Sequence, residues 1–190
     1  MEQAIIINGS PRVGANSDAI AAFAKKHFAE HGIDAVIYNI RDMKIHPCVG
    51  CDTCKGEPVC VFSDDATELI TRLISAQRSL LVAPLYYTNL PGTVKVLIDR
   101  FYVNYDPWKY GGKRAPDPAR RFGTVLTYGG SPEETALGAI ELASYAWEDL
   151  GFGSREYVLC PMNIEKTSFS GNSEFQEETA GLVGWIAGAV

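Results

Sequence analysis

The chain opens on a short apolar run. Residues 3–8 read Gln-Ala-Ile-Ile-Ile-Asn and stop at Gly9-Ser10-Pro11, the pattern of a buried strand running into a loop. Over residues 17–31 the period changes. Ile20, Phe23, Ala24, Phe28 and His31 fall along one helical stripe, and Gly32 is placed to end the helix. Residues 34–39 predict a second strand. A helix over 64–75, an almost wholly apolar strand over 79–83 and a helix over 91–101 follow, the last with Pro91 in its first turn. Residues 122–128 predict a fourth strand. Ser131-Pro132-Glu133-Glu134 predicts a helix start, with Ser131 as cap, Pro132 in the first helical position and Glu134 completing a capping box, and that helix runs to about residue 150. A strand over 154–159 and a helix opened by Ser173 and Gln176, reaching to near Ala189, complete the pattern.

Strands alternating with helices predict a doubly wound α/β domain with a five-stranded parallel sheet. No internal repeat or linker interrupts it, so residues 1–190 read as one domain. Two segments, 41–63 and 102–121, are too long for plain connections and read as functional insertions. Ligands in such folds bind beyond the carboxyl ends of the strands. The loops after strands one, three and four therefore carry the information, and the loop after strand two ends on the same edge.

Residues 8–17 (NGSPRVGANS) are rich in small hydroxyl and amide side chains, carry one arginine and open a helix. Free N–H groups and the helix dipole suit a phosphate there. The loop matches neither G-x-x-x-x-G-K-[ST] nor G-x-G-x-x-G, so a single terminal phosphate fits better than a triphosphate or pyrophosphate. Residues 84–92 supply two tyrosines and residues 128–131 two glycines, which together suit a planar ring at the sheet edge. Taken singly, each loop is also explained by ordinary capping and turn chemistry.

Charge narrows the partners. With 17 Lys and Arg against 23 Asp and Glu, the net charge is −6, a poor match to nucleic acid. No apolar run approaches the roughly 18 residues that suggest a membrane span. Met1-Glu2-Gln3 leads into the first strand without a basic leader, so the expectation is a cytoplasmic protein. In a reducing compartment the cysteines gain weight. Cys48, Cys51, Cys54 and Cys60 form a C-x2-C-x2-C-x5-C run, which reads as metal ligands or redox groups. Two consecutive x2 gaps open the bacterial ferredoxin pattern, although Val61 rather than Pro follows Cys60. Zinc sites more often separate two pairs by a longer span. Cluster, zinc, and free or disulfide-linked thiols stay open on the residues alone. Cys160 reads as a packing residue, His27 and His31 as helix surface, and His46 as loop polarity. Gly184 and Gly188 read as close helix packing.

In register, NGSPRVGANS, APLYYTNLPGTVKVLIDRF and TYGGSPEE resemble the flavodoxin-like NAD(P)H-dependent FMN reductases from residue 3 to about 159. The resemblance implies the flavodoxin-like sheet order 2-1-3-4-5. It implies that Ser10, Arg12, Asn16 and Ser17 hold the FMN phosphate. Pro84, Leu85, Tyr86, Tyr87 and Asn89 would line the isoalloxazine, with Tyr128, Gly129 and Gly130 on its other side. With the cysteine run, the chain is most similar to the iron–sulfur flavoproteins, which implies that Cys48, Cys51, Cys54 and Cys60 ligate a [4Fe–4S] cluster. The expected function is electron transfer between that cluster, FMN and a small acceptor or ferredoxin-like partner. NAD(P)H is the other candidate donor, and a homodimer or homotetramer is expected. The alternatives are a cluster-free NAD(P)H-dependent FMN or quinone reductase, and a redox sensor without turnover. Residues 102–121 hold Tyr102, Tyr105, Trp108 and Tyr110, with Lys109, Lys113, Arg114, Arg120 and Arg121 against Asp106 and Asp117. This cationic stretch would cover the flavin of a neighbouring subunit, meet an acidic donor or bind an NADPH phosphate; a plain dimer arm is the simpler account.

Overall fold

The apolar runs become five parallel strands in a computed structural model that describes residues 3–57, 59–104, 115–162 and 168–189. They are β1 (Gln3–Asn8), β2 (Asp34–Asn39), β3 (Arg78–Pro84), β4 (Asp117–Tyr128) and β5 (Phe152–Pro161). Their order is β2-β1-β3-β4-β5, as expected. Alternation along each strand feeds two cores. Ile5, Ile7, Leu81 and Ala83 pack with α3 (Asp65–Ser75), α4 (Gly92–Arg100) and α5 (Glu133–Asp149). Ala4, Ile6, Leu80 and Val82 pack with α1 (Asn16–Glu30) and α6 (Ser173–Ala187). A strand buried on both faces needs apolar residues at successive positions, which is why these runs are continuous. One short helical turn, α2 (Thr53–Gly56), lies in the cysteine segment.

Two glycines act through the backbone. Gly32 takes φ +74°, and Ile33 N–H reaches Phe28 O at 2.9 Å, closing α1 as its sequence predicts. At Gly9 a Cβ would run into Val94 Cγ2 and crowd Ala83 Cβ, so glycine lets α4 pack this close to the loop after β1.

The helix starts differ from expectation. Pro132, not Ser131, occupies the cap of α5, and the cap makes no side-chain bond. The one-residue shift puts Ser131 and Glu134 out of frame for a reciprocal box. Pro91 likewise precedes α4 as its cap residue. For α6 the cap is Asn172, whose side chain accepts from Phe175 N–H at 3.1 Å. Gln176 instead donates to the Phe169 and Ser170 carbonyls. Asn caps as well as Ser does, so adjacent candidates compete.

The fourth strand begins earlier than residue 122, and this corrects the charge of the long insertion. Arg120 and Arg121 belong to β4. Arg120 is only 6% exposed. Its guanidinium donates to Ala76 O, Leu73 O and Leu150 O at 2.8, 2.8 and 2.7 Å, and lies 4.3 Å over the Phe152 ring. It thus satisfies carbonyls at the C-terminal ends of both α3 and α5, where a cation is also favoured by the helix dipoles. Arg121 donates to Trp185 O and stacks on its indole. Neither is a surface cation. Tyr105, Asp106, Trp108, Lys109, Tyr110, Lys113 and Arg114 lie outside the described residues.

Arg120→Met is expected to destabilise the fold by about 3–5 kcal/mol, because it takes the donor from the Ala76 and Leu150 carbonyls and leaves Leu73 O with the Ala76 N–H alone. The readout is a lower urea midpoint at unchanged slope. Arg120→Lys keeps the charge without the fork and should lose less. An unchanged midpoint in Arg120→Met would mean those carbonyls do not depend on the guanidinium.

Candidate functional site

β1 carries Asn8 to the carboxyl edge of the sheet, where it is 1% exposed. Asn8 Oδ1 accepts from Ser10 N–H at 3.1 Å, and its amide donates to Asp18 and to Asn39. Ser10 Oγ accepts from Arg12 N–H at 3.2 Å. Asp18, in the first turn of α1, accepts from Gly14 N–H at 2.6 Å, with Gly14 at φ +69°. Arg41 comes from a 3-10 turn over Ile40–Asp42, just after β2. It forks onto Asp18 at 2.7 and 3.2 Å and reaches the Ser10 and Arg12 carbonyls at 3.4 and 3.3 Å. Burial pushes the Asp18 carboxyl up, but hydrogen bonds from Arg41, Gly14 and Asn8 and the charge of Arg41 outweigh it. The carboxyl is held below its ordinary value. Ala15 caps α1 without a side-chain bond, which leaves first-turn N–H groups to an incoming anion.

The loop after β3 makes a two-residue turn. Tyr86 and Asn89 exchange backbone hydrogen bonds at 2.8 and 3.1 Å, and Tyr87 and Thr88 both have positive φ, at 44° and 68°. Two left-handed central residues match a type I′ turn. For a β-branched threonine this is a strained conformation, of the kind found where a segment is held for function. The turn leaves Tyr87 fully exposed. Leu85 N–H bonds Thr127 O, and Met162 N–H bonds Tyr128 O, so the ends of β3, β4 and β5 are stitched together. Burial is the main cause that raises the Tyr128 phenol, helped by Glu133 and Cys160. Between these parts lies a cleft of about 640 Å³, within the roughly 300–1,000 Å³ of small-molecule sites.

Of the residues expected at a flavin, Arg12, Asn16, Pro84, Leu85, Tyr86, Tyr87, Tyr128 and Gly129 border this cleft. Ser10 and Ser17 are buried behind it. Asn89 and Gly130 are exposed and lie outside its lining, and Asn89 Oδ1 accepts from Leu90 N–H. Sequence reasoning missed Ala15, Thr127 and Met162 on the wall, and Asp18 and Arg41 behind it. The loop after strand five, which supplies Met162, obeys the same edge rule as its neighbours and was findable. The cleft fits FMN: a cationic helix N-terminus at one end, aromatic and apolar side chains at the other.

A second assembly surrounds the cysteines. Cys48, Cys51, Cys54 and Cys60 line one small cavity with Phe62, Arg100 and Tyr102. Left-handed Gly50 and Asp52 bend the chain around it. Thr53 Oγ–H donates to Cys51 Sγ at 3.4 Å, and this bond is the main cause that lowers the Cys51 thiol. Cys54 is raised, mainly by burial and further by the charges of Cys60, Cys48 and Cys51. Among the described residues, no group of three or more His, Cys, Asp or Glu side chains is placed to hold a metal ion. Four soft thiols line one cavity beside a buried cation, a donor set whose chemistry suits an iron–sulfur cluster. His46 stacks on Phe62 at 3.7 Å. His27 pairs with Glu30, and His31 packs toward Gly184 of α6. Cys160 is fully buried, and burial pushes its thiol up to about 12.

Residues 3–142 match the family described as NADPH-dependent FMN reductase. The chain belongs to that family. It is 33% identical over 94 residues to an iron–sulfur flavoprotein of Methanocaldococcus jannaschii, covering 50% of this chain and 49% of that one. It is 31% identical over 147 residues to an iron–sulfur flavoprotein of Archaeoglobus fulgidus, covering 76% and 63%. The chain thus spans about half to two thirds of the length of these curated relatives. Its fold matches a Streptococcus pneumoniae flavodoxin with a TM-score of 0.60, at 14% identity and 99% coverage of both chains.

Arg41→Gln is expected to weaken FMN binding by the family cleft at least about tenfold, the factor that about 1.4 kcal/mol represents. The change releases two loop carbonyls and Asp18 together. Flavin fluorescence titration of the apoprotein checks this; unchanged affinity would mean Asn8 and Asp18 hold the loop alone. A second prediction concerns acid. Asp64 behaves like Asp18: burial pushes it up, and bonds from Arg100, His46 N–H and Thr67 N–H hold it down. Both folded carboxyls titrate below the ordinary 3.8. Their contribution is complete above that value and is lost as pH falls through the lower folded values. Asp64→Asn should therefore be less stable at neutral pH yet lose less stability between about pH 5 and pH 2. Parallel urea midpoint curves for the two proteins would contradict this.

Proposed function

We propose that this protein is an iron–sulfur flavoprotein, an FMN-dependent oxidoreductase that exchanges electrons with a small acceptor or a redox partner. The observation that carries the reading is the shared cavity of Cys48, Cys51, Cys54 and Cys60, closed by buried Arg100, on a chain that also has the family's flavin cleft. The names of the curated relatives support it. When bound, FMN supplies one- and two-electron chemistry and a [4Fe–4S] cluster one-electron chemistry.

The protein's part is placement. Arg12, Asn16 and the start of α1 are assigned to the phosphate, with Ser10 and Ser17 shaping the loop from behind. Pro84, Leu85, Tyr86 and Tyr87 are assigned to one side of the ring, and Tyr128 and Gly129 to the other. The strained turn keeps Tyr87 outside the protein body, where it can cover a ring and limit solvent access. No side chain of the cleft is assigned a proton-transfer role. The donor is a reduced nicotinamide or a ferredoxin-like protein. We place the protein in the cytoplasm as a homodimer or homotetramer. No helix among the described residues is long and apolar enough to cross a membrane.

Anaerobic purification with iron, acid-labile sulfide and visible absorption tests this. About four irons and four sulfides per chain are expected, with cluster absorption beneath the flavin bands. Cys54→Ser should lose the iron and keep the flavin. Flavin with iron near zero in the parent would leave a cluster-free NAD(P)H-dependent FMN or quinone reductase.

A further inference from the structure

Arg100 closes α4 and is 2% exposed. Its guanidinium faces the cysteine segment. Nη1 donates to His46 O at 2.8 Å and Nη2 to Phe62 O at 3.4 Å. These carbonyls lie two residues before Cys48 and two residues after Cys60, so one side chain holds both ends of the cysteine loop. Asp64 takes the same guanidinium in a fork at 2.7 and 3.1 Å, and also accepts from His46 N–H at 2.9 Å. Thr67 Oγ and the Phe62 ring complete the surroundings. The remaining donor, Nε–H, is buried with no hydrogen-bond partner among the described residues. Arg100 lines the same small cavity as the four thiols, and Cys60 lies against its guanidinium. A buried donor without a partner is costly, so a fully wrapped arginine with one such donor marks a place for an acceptor.

We propose that Arg100 is a positioning residue of the cysteine centre: it clamps both ends of the loop and sets a permanent positive charge beside Cys60, which favours the reduced state of the cluster. The inference rests on the iron–sulfur reading above. A fixed cation near a thiolate ligand stabilises whichever state carries more negative charge, and hydrogen bonds to the ligating sulfurs act in the same direction. Asp64 opposes this field while orienting the guanidinium. The two partners of one ion pair therefore have opposite electrostatic effects on the centre and the same structural effect on the loop. That difference separates tuning from mere support.

The test compares Arg100→Gln, Arg100→Lys and Asp64→Asn with the parent, each purified anaerobically with FMN bound. Cluster and flavin midpoints are read in one titration by electron paramagnetic resonance and absorbance. Hydrogen exchange of residues 46–57 is read on cluster-free protein. Arg100→Gln should lose loop protection at least tenfold. Its cluster reduction constant should fall at least tenfold, which is about 59 mV for one electron, with the flavin midpoint unchanged. Asp64→Asn should also lose loop protection, yet its cluster constant should rise. Arg100→Lys keeps the charge; its cluster constant should stay nearer the parent than that of Arg100→Gln, even though the clamp is lost. Equal shifts of the same sign in Arg100→Gln and Asp64→Asn would overturn the tuning role. Parent-like exchange in Arg100→Gln would overturn the clamp. Should Arg100→Gln fail to fold, Arg100→Lys and Asp64→Asn still decide both points. A parent protein with flavin but no iron defeats the iron–sulfur reading and the tuning role together, and the exchange data then decide the clamp alone.

Discussion

A parallel sheet covered on both faces strands polar backbone at its rims. Helix C-termini and tight loops end there, many of them shielded from water, and their carbonyls need donors. This chain meets that constraint with guanidinium groups, buried at Arg100 and Arg120 and half-buried at Arg41. Arg120 closes α3 and α5 at the amino rim. Arg41 with Asp18 braces the loop after β1, and Arg100 with Asp64 braces the cysteine segment. Arginine suits all three places because its planar fork offers five donors and stays charged when buried; a lysine offers a point charge only.

The net worth of such pairs is positional. Exposed pairs such as Lys26 with Glu30 contribute about 0–1 kcal/mol at most. A buried pair gains little over well-packed apolar groups, yet removing one partner is costly. That asymmetry makes each arginine a locator: only one loop geometry keeps all its bonds. Arg41 adds a further link. It leaves β2 at the head of the cysteine segment and reaches back to the Ser10 and Arg12 carbonyls. Among the described residues the two candidate cofactor sites share no lining side chain, but they share this frame.

Much of the fold was legible because its causes are local. Continuous apolar runs such as Ala4-Ile5-Ile6-Ile7 and Leu80-Leu81-Val82-Ala83 mean strands buried on both faces. Glycine at position 32 means a helix end. The helix caps were less legible, because each expected cap has a competitor one residue away: Pro132 beside Ser131 and Asn172 beside Ser173. The start of β4 was hidden because Asp-Pro-Ala-Arg-Arg has no strand character until β5 pairs with it and a bulge near Arg121 absorbs the irregularity.

The sequence by itself determined the alternation of elements, the family motifs that border the cleft, and the four thiols with their spacing, since each depends on residues close together in the chain. Only the tertiary structure decided which charged residues serve these sites. Asp18 and Arg41 are 23 residues apart, Asp64 and Arg100 are 36, and Arg120 reaches carbonyls 30 to 47 positions away. An arginine in a strand, a turn or the last turn of a helix looks like any solvated cation until the packed sheet sets a buried carbonyl against it. Its role is a property of distance in space, which chain composition and periodicity do not encode.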